Sequence, residues 1–219
     1  MKRFPLIATA FLLLLALVGC NSHSGTNEST ETMQEKTTGE LQGSYYYFLK
    51  FKSLEELVES QKAVKEGTAD DGLAEQAEIV NFLELEKLYL PAAIPEGYHL
   101  YNITVNKYLV SYDYMLESDM GSPDAIRDAY YKQQAFSFLF RRPGMAITID
   151  EDLRHHNATK EDLIDGKYFF FGSSSLNWEL DEVFIEMDMP LPLLEKQPDE
   201  QRRIAEMMKY TEVEVVELG

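Results

Sequence analysis

The sequence predicts an α+β domain in which a few amphipathic helices pack against an antiparallel sheet. Several segments between residues 99 and 187 alternate large apolar side chains with polar ones, as strands with one buried face do. Other segments start with a capping residue and continue with apolar residues at helical spacing. Neighbouring strand segments are joined by short turns instead of alternating with helices, which favours antiparallel pairing.

Residues 1–19 have the features of a lipoprotein signal peptide. Lys2 and Arg3 are basic, and the apolar run over residues 4–18 is shorter than the roughly 20 residues that a membrane-spanning helix needs. The four residues at 17–20, Leu-Val-Gly-Cys, resemble the lipobox of bacterial lipoproteins. The resemblance implies that Cys20 receives a diacylglyceryl group and that the chain is cut just before it.

Cys20 is the only cysteine of the chain, so the mature protein is expected to contain no disulfide. Two acyl chains of the palmitate type anchor a protein stably, at about 0.8 kcal/mol per buried methylene, whereas one chain binds only marginally. We therefore expect an extracytoplasmic protein held to the cell membrane by the lipid on Cys20. The alternative is an ordinary secretion signal followed by an incidental cysteine.

The charge of the chain excludes some partners. Removal of the leader takes away two of the 20 basic residues and none of the 38 acidic ones, which leaves a formal charge of −20. Nucleic acid is therefore not expected to bind, because its affinity depends on Lys and Arg that displace counterions from phosphates. Direct adhesion of the domain to an anionic lipid surface is disfavoured for the same reason.

The mature chain divides into a tether and one domain. Residues 20–43 carry the lipidated cysteine and are rich in Ser, Thr, Glu, Gly and Asn, a composition that buries too little apolar surface to become ordered. We interpret them as a flexible tether. Residues 44–219 are then a single extracytoplasmic α+β domain, long enough to form a hydrophobic core.

Helices are expected where a capping residue precedes an apolar stripe. Ser53 and Glu56 have the spacing of a capping box, and Ser122 followed by Pro123 supplies an N-cap and an N1 proline. In chain order the expected helices start after Ser53, run over residues 73–83 after a turn at 70–72, run over 123–132, form one short turn at 159–162, and run over 199–209.

Strands are expected where the alternation has a period of two. The aromatic stretch at residues 44–52 is interpreted as extended, and Trp178 is expected to face the core together with Leu176 and Leu180. The expected pairs are 99–105 with 107–116 around a turn at 106–107, 135–140 with 145–150 around Arg-Arg-Pro-Gly, and 167–172 with 176–187 around 173–175, followed by a last strand at 211–217.

Four segments of the domain resemble, in order and spacing, an uncharacterised extracytoplasmic domain of Firmicutes. They are residues 89–100 with a proline-bracketed Gly-Tyr entry, 135–143, 177–192 with the Trp-containing strand, and the closing helix with 212–218. The resemblance covers residues 51–217. Some members of that family are attached to transmembrane anti-sigma factors, which implies a binding or sensing module outside the cell.

Catalytic and metal-binding motifs are not evident in the sequence. His155 and His156 lie near acidic residues, but adjacent histidines on an extended chain point to opposite sides, so we expect a solvated loop and no metal or cofactor. Acidic residues are too numerous for spacing to single out a catalytic carboxylate pair. The serines at 173–175 lack the nucleophile elbow pattern and are interpreted as a turn between strands.

Aromatic residues supply the remaining candidates. Most are expected to pack in the core or across strands, but an extended triplet such as Tyr45, Tyr46 and Tyr47 exposes at least one ring. These three are candidate ligand contacts for an envelope protein, peptide or glycan. The first hypothesis is therefore a non-enzymatic binding or sensing lipoprotein. The alternative is a cell-envelope hydrolase whose carboxylates the sequence does not localise, and a transporter's solute receptor is disfavoured because the βαβ pattern is missing.

Overall fold

The computed structural model describes residues 47–142, 148–197 and 199–219, and it confirms an α+β fold built on an antiparallel sheet. The tether, the leader and Cys20 lie outside these residues. The strands are β1 (Phe48–Phe51), β2 (Lys87–Pro91), β3 (Tyr98–Asn106), β4 (Leu109–Leu116), β5 (Phe136–Arg141), β6 (Phe169–Phe171), β7 (Ser175–Leu180), β8 (Val183–Asp188) and β9 (Val213–Glu217).

Seven of these strands form one sheet in the order β1-β3-β4-β5-β8-β7-β6, and β2 pairs with β9 in a separate ribbon. Every pair is antiparallel. The expected hairpin of β3 and β4 is confirmed, although its two-residue connection is Lys107–Tyr108 because Asn106 still belongs to β3. The Asn106 side chain accepts hydrogen bonds from the backbone N–H groups of Tyr108 and Leu109, at 2.7 and 2.9 Å.

The helices begin at the capping residues that the sequence indicates. Ser53 accepts a hydrogen bond from the Glu56 N–H at 3.1 Å, although the Glu56 carboxylate accepts from the Lys52 N–H instead of from Ser53 itself. The helices are α1 (Leu54–Glu66), α2 (Asp71–Ile79), α3 (Pro123–Tyr131), α4 (Ile149–His155), α5 (Leu191–Glu195) and α6 (Glu200–Met208), with 3-10 turns at Phe82–Glu84, Glu117–Met120 and Lys160–Asp162.

The second helix differs from its predicted range of 73–83. Asp70 is its N-cap, so Asp71 and Gly72, which were interpreted as part of a turn, already belong to the helix. The helix ends before Asn81, which has φ of 52° and therefore leaves the right-handed helical region. The 3-10 turn at Phe82–Glu84 is a separate element.

The predicted strand at 145–150 is wrong where it can be compared with the structure. Residues 143–147 lie outside the described ranges, and Thr148 is the N-cap of α4. Its hydroxyl accepts from the Glu151 N–H while the Glu151 carboxylate accepts from the Thr148 N–H, a complete capping box. Strand β5 pairs with β4 and β8 instead.

The predicted segment 176–187 divides into two strands, β7 and β8. Asp181 and Glu182 have φ of 51° and 67°, as the central residues of a type I′ hairpin turn require. Strand β7 pairs with both β6 and β8, and residues 172–174 form the expected turn between β6 and β7. The hairpin of β7 and β8 is therefore one that the alternation in the sequence did not indicate.

The main hydrophobic core lies on one face of the large sheet. Alternate residues of the strands point into it, and side chains from α1, α2, β2, α5 and α6 pack against them. Trp178 is fully buried, as predicted, with Leu176 beside it and Leu180 partly buried against the same core. The Trp178 ring meets the Phe138 ring edge-on, with centroids 6.2 Å apart.

The opposite face of the sheet is polar along its middle rows. The strand registers place five side chains in one row across β3, β4, β5, β8 and β7. Helices α3 and α4 lie on this face, because their side chains form hydrogen bonds with outward-pointing strand residues. The row consists of Asn102, Asp113, Ser137, Asp188 and Ser175.

In the part of the chain described by the structure, no helix combines the length and apolar character needed to cross a membrane.

Candidate functional site

A cleft of about 440 Å³ lies between α3 and the neighbouring strands β1 and β3, on the polar face of the sheet. Helix α3 starts here because Ser122 accepts a hydrogen bond from the Ala125 N–H at 3.2 Å and Pro123 occupies the first turn. The cleft is lined by Lys50, Tyr101 and Asn102 from the strands, and by Pro123, Ile126, Arg127, Tyr130 and Tyr131 from the helix.

A β-bulge directs Tyr101 into this cleft. Leu100 pairs with Tyr114 and Asn102 pairs with Asp113, so Tyr101 is the extra residue between two paired positions of β3. A bulge of this kind rotates the strand locally and re-aims the side chain of the extra residue. The three consecutive residues 100–102 are consequently all half-buried, whereas regular alternation would expose one of them fully.

The Tyr130 ring is held in place at its hydroxyl end. That hydroxyl donates a hydrogen bond to Asp113 Oδ2 at 3.0 Å, and Ser137 Oγ donates to the other carboxylate oxygen at 3.0 Å. Burial, followed by the negative charge of Asp113, raises the pKa of the Tyr130 hydroxyl well above its usual value. The ring is therefore neutral and held in place, and 42% of the Tyr130 residue stays exposed.

Two cations border the cleft, and its described lining includes no carboxylate. The Arg127 guanidinium lies 2.9 Å from Asp124 in a pair whose side chains are 62% and 82% exposed. The Lys50 ammonium lies 5.1 Å from the centre of the Phe48 ring. The charged residues among those that line the cleft are thus both cations, although the chain as a whole has 38 acidic residues.

A second polar cluster occupies the middle of the same sheet face. Glu186 and Asp188 lie two residues apart on β8, and Asp188 accepts a hydrogen bond from the Ser175 hydroxyl. Burial raises the pKa of both carboxyl groups, and the charge of Asp188 raises that of Glu186 further. Helix α4 brings the buried Asp152 to this face, where Asn177 Nδ2 donates to its Oδ2 at 3.0 Å.

The segment with the two histidines is a helix end, so the predicted loop is wrong for residues 150–155. His155 is the last residue of α4, and the His156 ring packs against the Phe171 ring, with centroids 3.9 Å apart and planes tilted by 32°. His156 Nε2 lies 3.5 Å from the Asp152 carboxylate. Over the described ranges, no three His, Cys, Asp or Glu side chains are grouped so that they could hold a metal ion.

Of the predicted tyrosine triplet, the structure describes only Tyr47, which does not line the cleft. Tyr45 and Tyr46 lie outside the described residues, and Tyr47 is 46% exposed just before β1 without lining the cleft. Phe48 pairs with Asn106, so the start of β1 lies near the far end of β3 from Asn102, about 14 Å along the strand at 3.4 Å per residue. Their role as ligand contacts stays a prediction.

The residues that line the cleft are not recognisable from sequence spacing. Tyr130 and Tyr131 end a helix whose start is predictable, but the strand residues opposite them come from positions 50, 101 and 102. The bulge at Tyr101 has no Gly or Pro that would mark it in the sequence. The aromatic pair at the end of the helix is the only local signal of the site.

No protein-family model matches this chain, and neither a curated protein nor a solved structure matches it. The lipobox and the resemblance to an extracytoplasmic domain of Firmicutes stay predictions. The observations that bear on function are therefore the shape, the rings and the charges of the cleft.

Proposed function

We propose that the protein is a lipid-anchored extracytoplasmic binding module that holds a cell-envelope glycan in the cleft beside α3. The leader and the lipobox at residues 17–20 support the location. The single observation that carries the binding role is the Tyr130 ring, which is fixed by Asp113 and exposed within a concave surface.

Fixed tyrosine rings suit the binding of sugars. The apolar C–H face of a sugar ring can pack on an aromatic face, while its hydroxyl groups form hydrogen bonds with polar groups around it. The cleft supplies three tyrosines together with the amide of Asn102. Little ordering is required of Tyr130 on binding, because its hydroxyl is already hydrogen-bonded.

A peptide fits this cleft less well than a glycan. Strand β3 is paired on one side with β1 and on the other with β4, so its backbone is already engaged next to the cleft. An extended peptide gains much of its affinity by adding to a free strand edge, but the edge strand β1 contributes only Lys50 to the described lining, and the other strand there, β3, is paired on both sides. Binding of a glycan depends on side-chain groups, and the cleft presents tyrosine rings and the Asn102 amide.

Binding without turnover agrees with the composition of the cleft. Glycoside hydrolysis generally needs two carboxyl groups on either side of the scissile bond. The described residues that line the cleft include none. A bound glycan would therefore contact rings, an amide and cations, none of which supplies the usual acid and base.

The test compares ring substitutions in the purified lipidated protein in neutral detergent micelles. After ligands are found on a glycan array, calorimetry measures their affinity for Tyr130→Ala, Tyr130→Phe and Tyr108→Ala. We expect Tyr130→Ala to weaken binding about tenfold through loss of ring packing, and Tyr130→Phe to retain most of the affinity.

Tyr108→Ala is the matched control, because Tyr108 is 44% exposed and lies in the β3–β4 turn outside the cleft. It should leave the affinity unchanged. Binding that persists in Tyr130→Ala, or that falls equally in Tyr108→Ala, would contradict the placement of the ligand. Absence of binding to every glycan would refute the proposed function.

A second candidate function is a cell-envelope hydrolase that uses Glu186 and Asp188. The observation in its favour is the raised pKa of both carboxyl groups on the polar face of the sheet. They lie two residues apart on β8 and therefore point to the same face of the sheet, as two cooperating carboxyl groups would have to. Mass spectrometry of glycans after incubation would detect products, and their loss in Glu186→Gln would favour this alternative.

A further inference from the structure

We propose that the cleft selects an acidic glycan, a chain of sugar rings that carries carboxylate groups, over a neutral glycan of the same length. This inference rests on the proposed function and adds the chemical class of the ligand. It follows from the two cations that border the cleft, from the ion pairs and hydrogen bonds of the nearby carboxylates, and from the tyrosine rings in the lining.

Lys50 and Arg127 approach the cleft from different elements. Lys50 is exposed on the outward face of β1, and Arg127 extends from α3 with its side chain 62% exposed. The pair of Arg127 with Asp124 is exposed and of the kind that contributes at most about 1 kcal/mol. A ligand carboxylate can therefore form additional hydrogen bonds with the remaining N–H groups of Arg127.

Three carboxylates that neighbour the lining residues in the chain or across the strands already have ion-pair or hydrogen-bond partners. Each of them has a cation or a hydrogen-bond donor beside it, which reduces its repulsion of an incoming anion. The interactions are those of Asp124 with Arg127 at 2.9 Å, of Asp128 with Lys132 at 3.5 Å, and of Asp113 with the hydroxyls of Tyr130 and Ser137, both at 3.0 Å.

The long-range charge of the domain makes this local arrangement selective. The lipidated protein, with a formal charge of −20 after removal of the leader, repels anions beyond the range of individual contacts. At physiological salt that repulsion is screened over about 8 Å, whereas close contacts with Lys50 and Arg127 are screened less. An anionic glycan is thus favoured only at a position where both cations are within contact distance.

The tyrosines favour a ring-shaped anion over a linear one. Tyr101, Tyr130 and Tyr131 offer faces on which sugar rings can pack, and Tyr131 is 81% exposed. A polyol phosphate has the required charge but no ring to pack on these faces. The combination of rings and cations therefore points to carboxylate-bearing sugars.

The experiment uses the purified lipidated protein in neutral detergent micelles and two forms of one ligand. Oligogalacturonate carries a carboxylate on each ring, and its methyl ester has the same rings without charge. We expect calorimetry to show about tenfold tighter binding of the acid. This difference should shrink as salt rises from about 0.05 M to about 0.5 M.

The double variant Lys50→Gln/Arg127→Gln should weaken binding of the acid about tenfold, whereas the ester should lose much less affinity because it has no charge to pair with the two cations. The control Lys52→Gln/Arg154→Gln makes the same change in net charge outside the cleft, and Arg154 is part of a comparable exposed pair with Glu151. It should leave the affinity for the acid unchanged. A loss as large as that of the cleft variant would attribute the effect to net charge and overturn the inference.

Other outcomes separate this inference from the proposed function. Equal binding of the acid and the ester would overturn acidic selectivity while the glycan-binding function stands. Tighter binding of poly(glycerol phosphate) or of poly-glutamate than of oligogalacturonate would overturn the choice of ligand class. Binding of neutral glycans on the array without binding of oligogalacturonate would also overturn it, whereas absence of all glycan binding would refute the proposed function as well.

Discussion

Substitution of Arg142 by methionine is expected to destabilise the domain by about 3 to 5 kcal/mol. Arg142 is only 5% exposed and donates through Nη1 to the carbonyl oxygens of Val80 at 2.5 Å and Asn106 at 3.2 Å, and through Nη2 to that of Asn81 at 2.7 Å. It thereby connects the end of α2 with the β3–β4 turn. Burial lowers the pKa of its guanidinium, the expected effect of removing a cation from water.

The magnitude follows from the carbonyl groups that the substitution leaves behind. An unsatisfied buried acceptor costs about 1 to 3 kcal/mol, and the Val80 carbonyl falls in that range because its hydrogen bond is fully buried. The carbonyls of Asn81 and Asn106 are part-buried, so water can replace some of the lost interaction, and that of Asn81 keeps a hydrogen bond from the Glu84 N–H at 3.0 Å; each should cost about 1 kcal/mol.

Urea unfolding followed by circular dichroism measures this change. Arg142→Lys keeps the charge but lacks the planar group that serves three carbonyls at once, so it should lose about half as much. Arg154→Met is the control, since its side chain is 74% exposed and its removal should change stability by less than about 0.5 kcal/mol. A loss in Arg142→Met no larger than that of the control would refute the reasoning.

Three further predictions concern the anchor, the core and the polar face. Cys20→Ser should abolish incorporation of a labelled fatty acid and leave uncleaved precursor, because the sulfur is the acyl acceptor; equal labelling of both proteins would contradict the anchor. Trp178→Ala should cost about 3 to 5 kcal/mol because Trp178 is fully buried, and the native fluorescence maximum should lie well below that of tryptophan in water. Burial raises the pKa of Glu186 above 4.5 and that of Asp188 above 3.8. Between these ordinary pKa values and the raised ones, the folded protein binds more protons than the unfolded chain. Its stability should therefore fall as the pH rises through that range. Glu186→Gln should make this fall smaller in urea titrations between pH 4 and pH 7, and an unchanged pH profile would argue against the buried carboxyl.

The parts of the fold that depend on neighbouring residues in the chain were predictable. Ser53, Ser122 and Asp199 each cap a helix because a side-chain oxygen accepts a hydrogen bond from a backbone N–H two or three residues later. The burial of Trp178 followed from the period of two along one strand. The capping box of Thr148 and Glu151 was equally visible in the sequence, but the adjacent apolar residues were interpreted as a strand.

Strand order and the cleft depend on contacts between residues that are distant in the chain. Strand β8 lies between β5 and β7, whereas β2 pairs with β9 in a ribbon separate from the large sheet. No local sequence pattern distinguishes these strands from the others. The polar row on the sheet face exists only because the registers align Asp113, Ser137 and Asp188 across three strands. Each of these residues, taken alone, is an ordinary polar position of an amphipathic strand.

The sequence by itself determined the helix starts, the alternation of the strands, the acidic charge and the expected lipid anchor, because capping, periodicity, composition and a leader are properties of short segments. Only the tertiary structure brought Lys50 and Asn102, which lie 80 and 28 positions away in the chain, into one cleft with Tyr130 and turned Tyr101 into it at a bulge. Side chains from three elements meet there because long-range strand pairing positions them. The physical reason is that pairing energies are summed over the whole sheet, whereas each local segment is compatible with several partners.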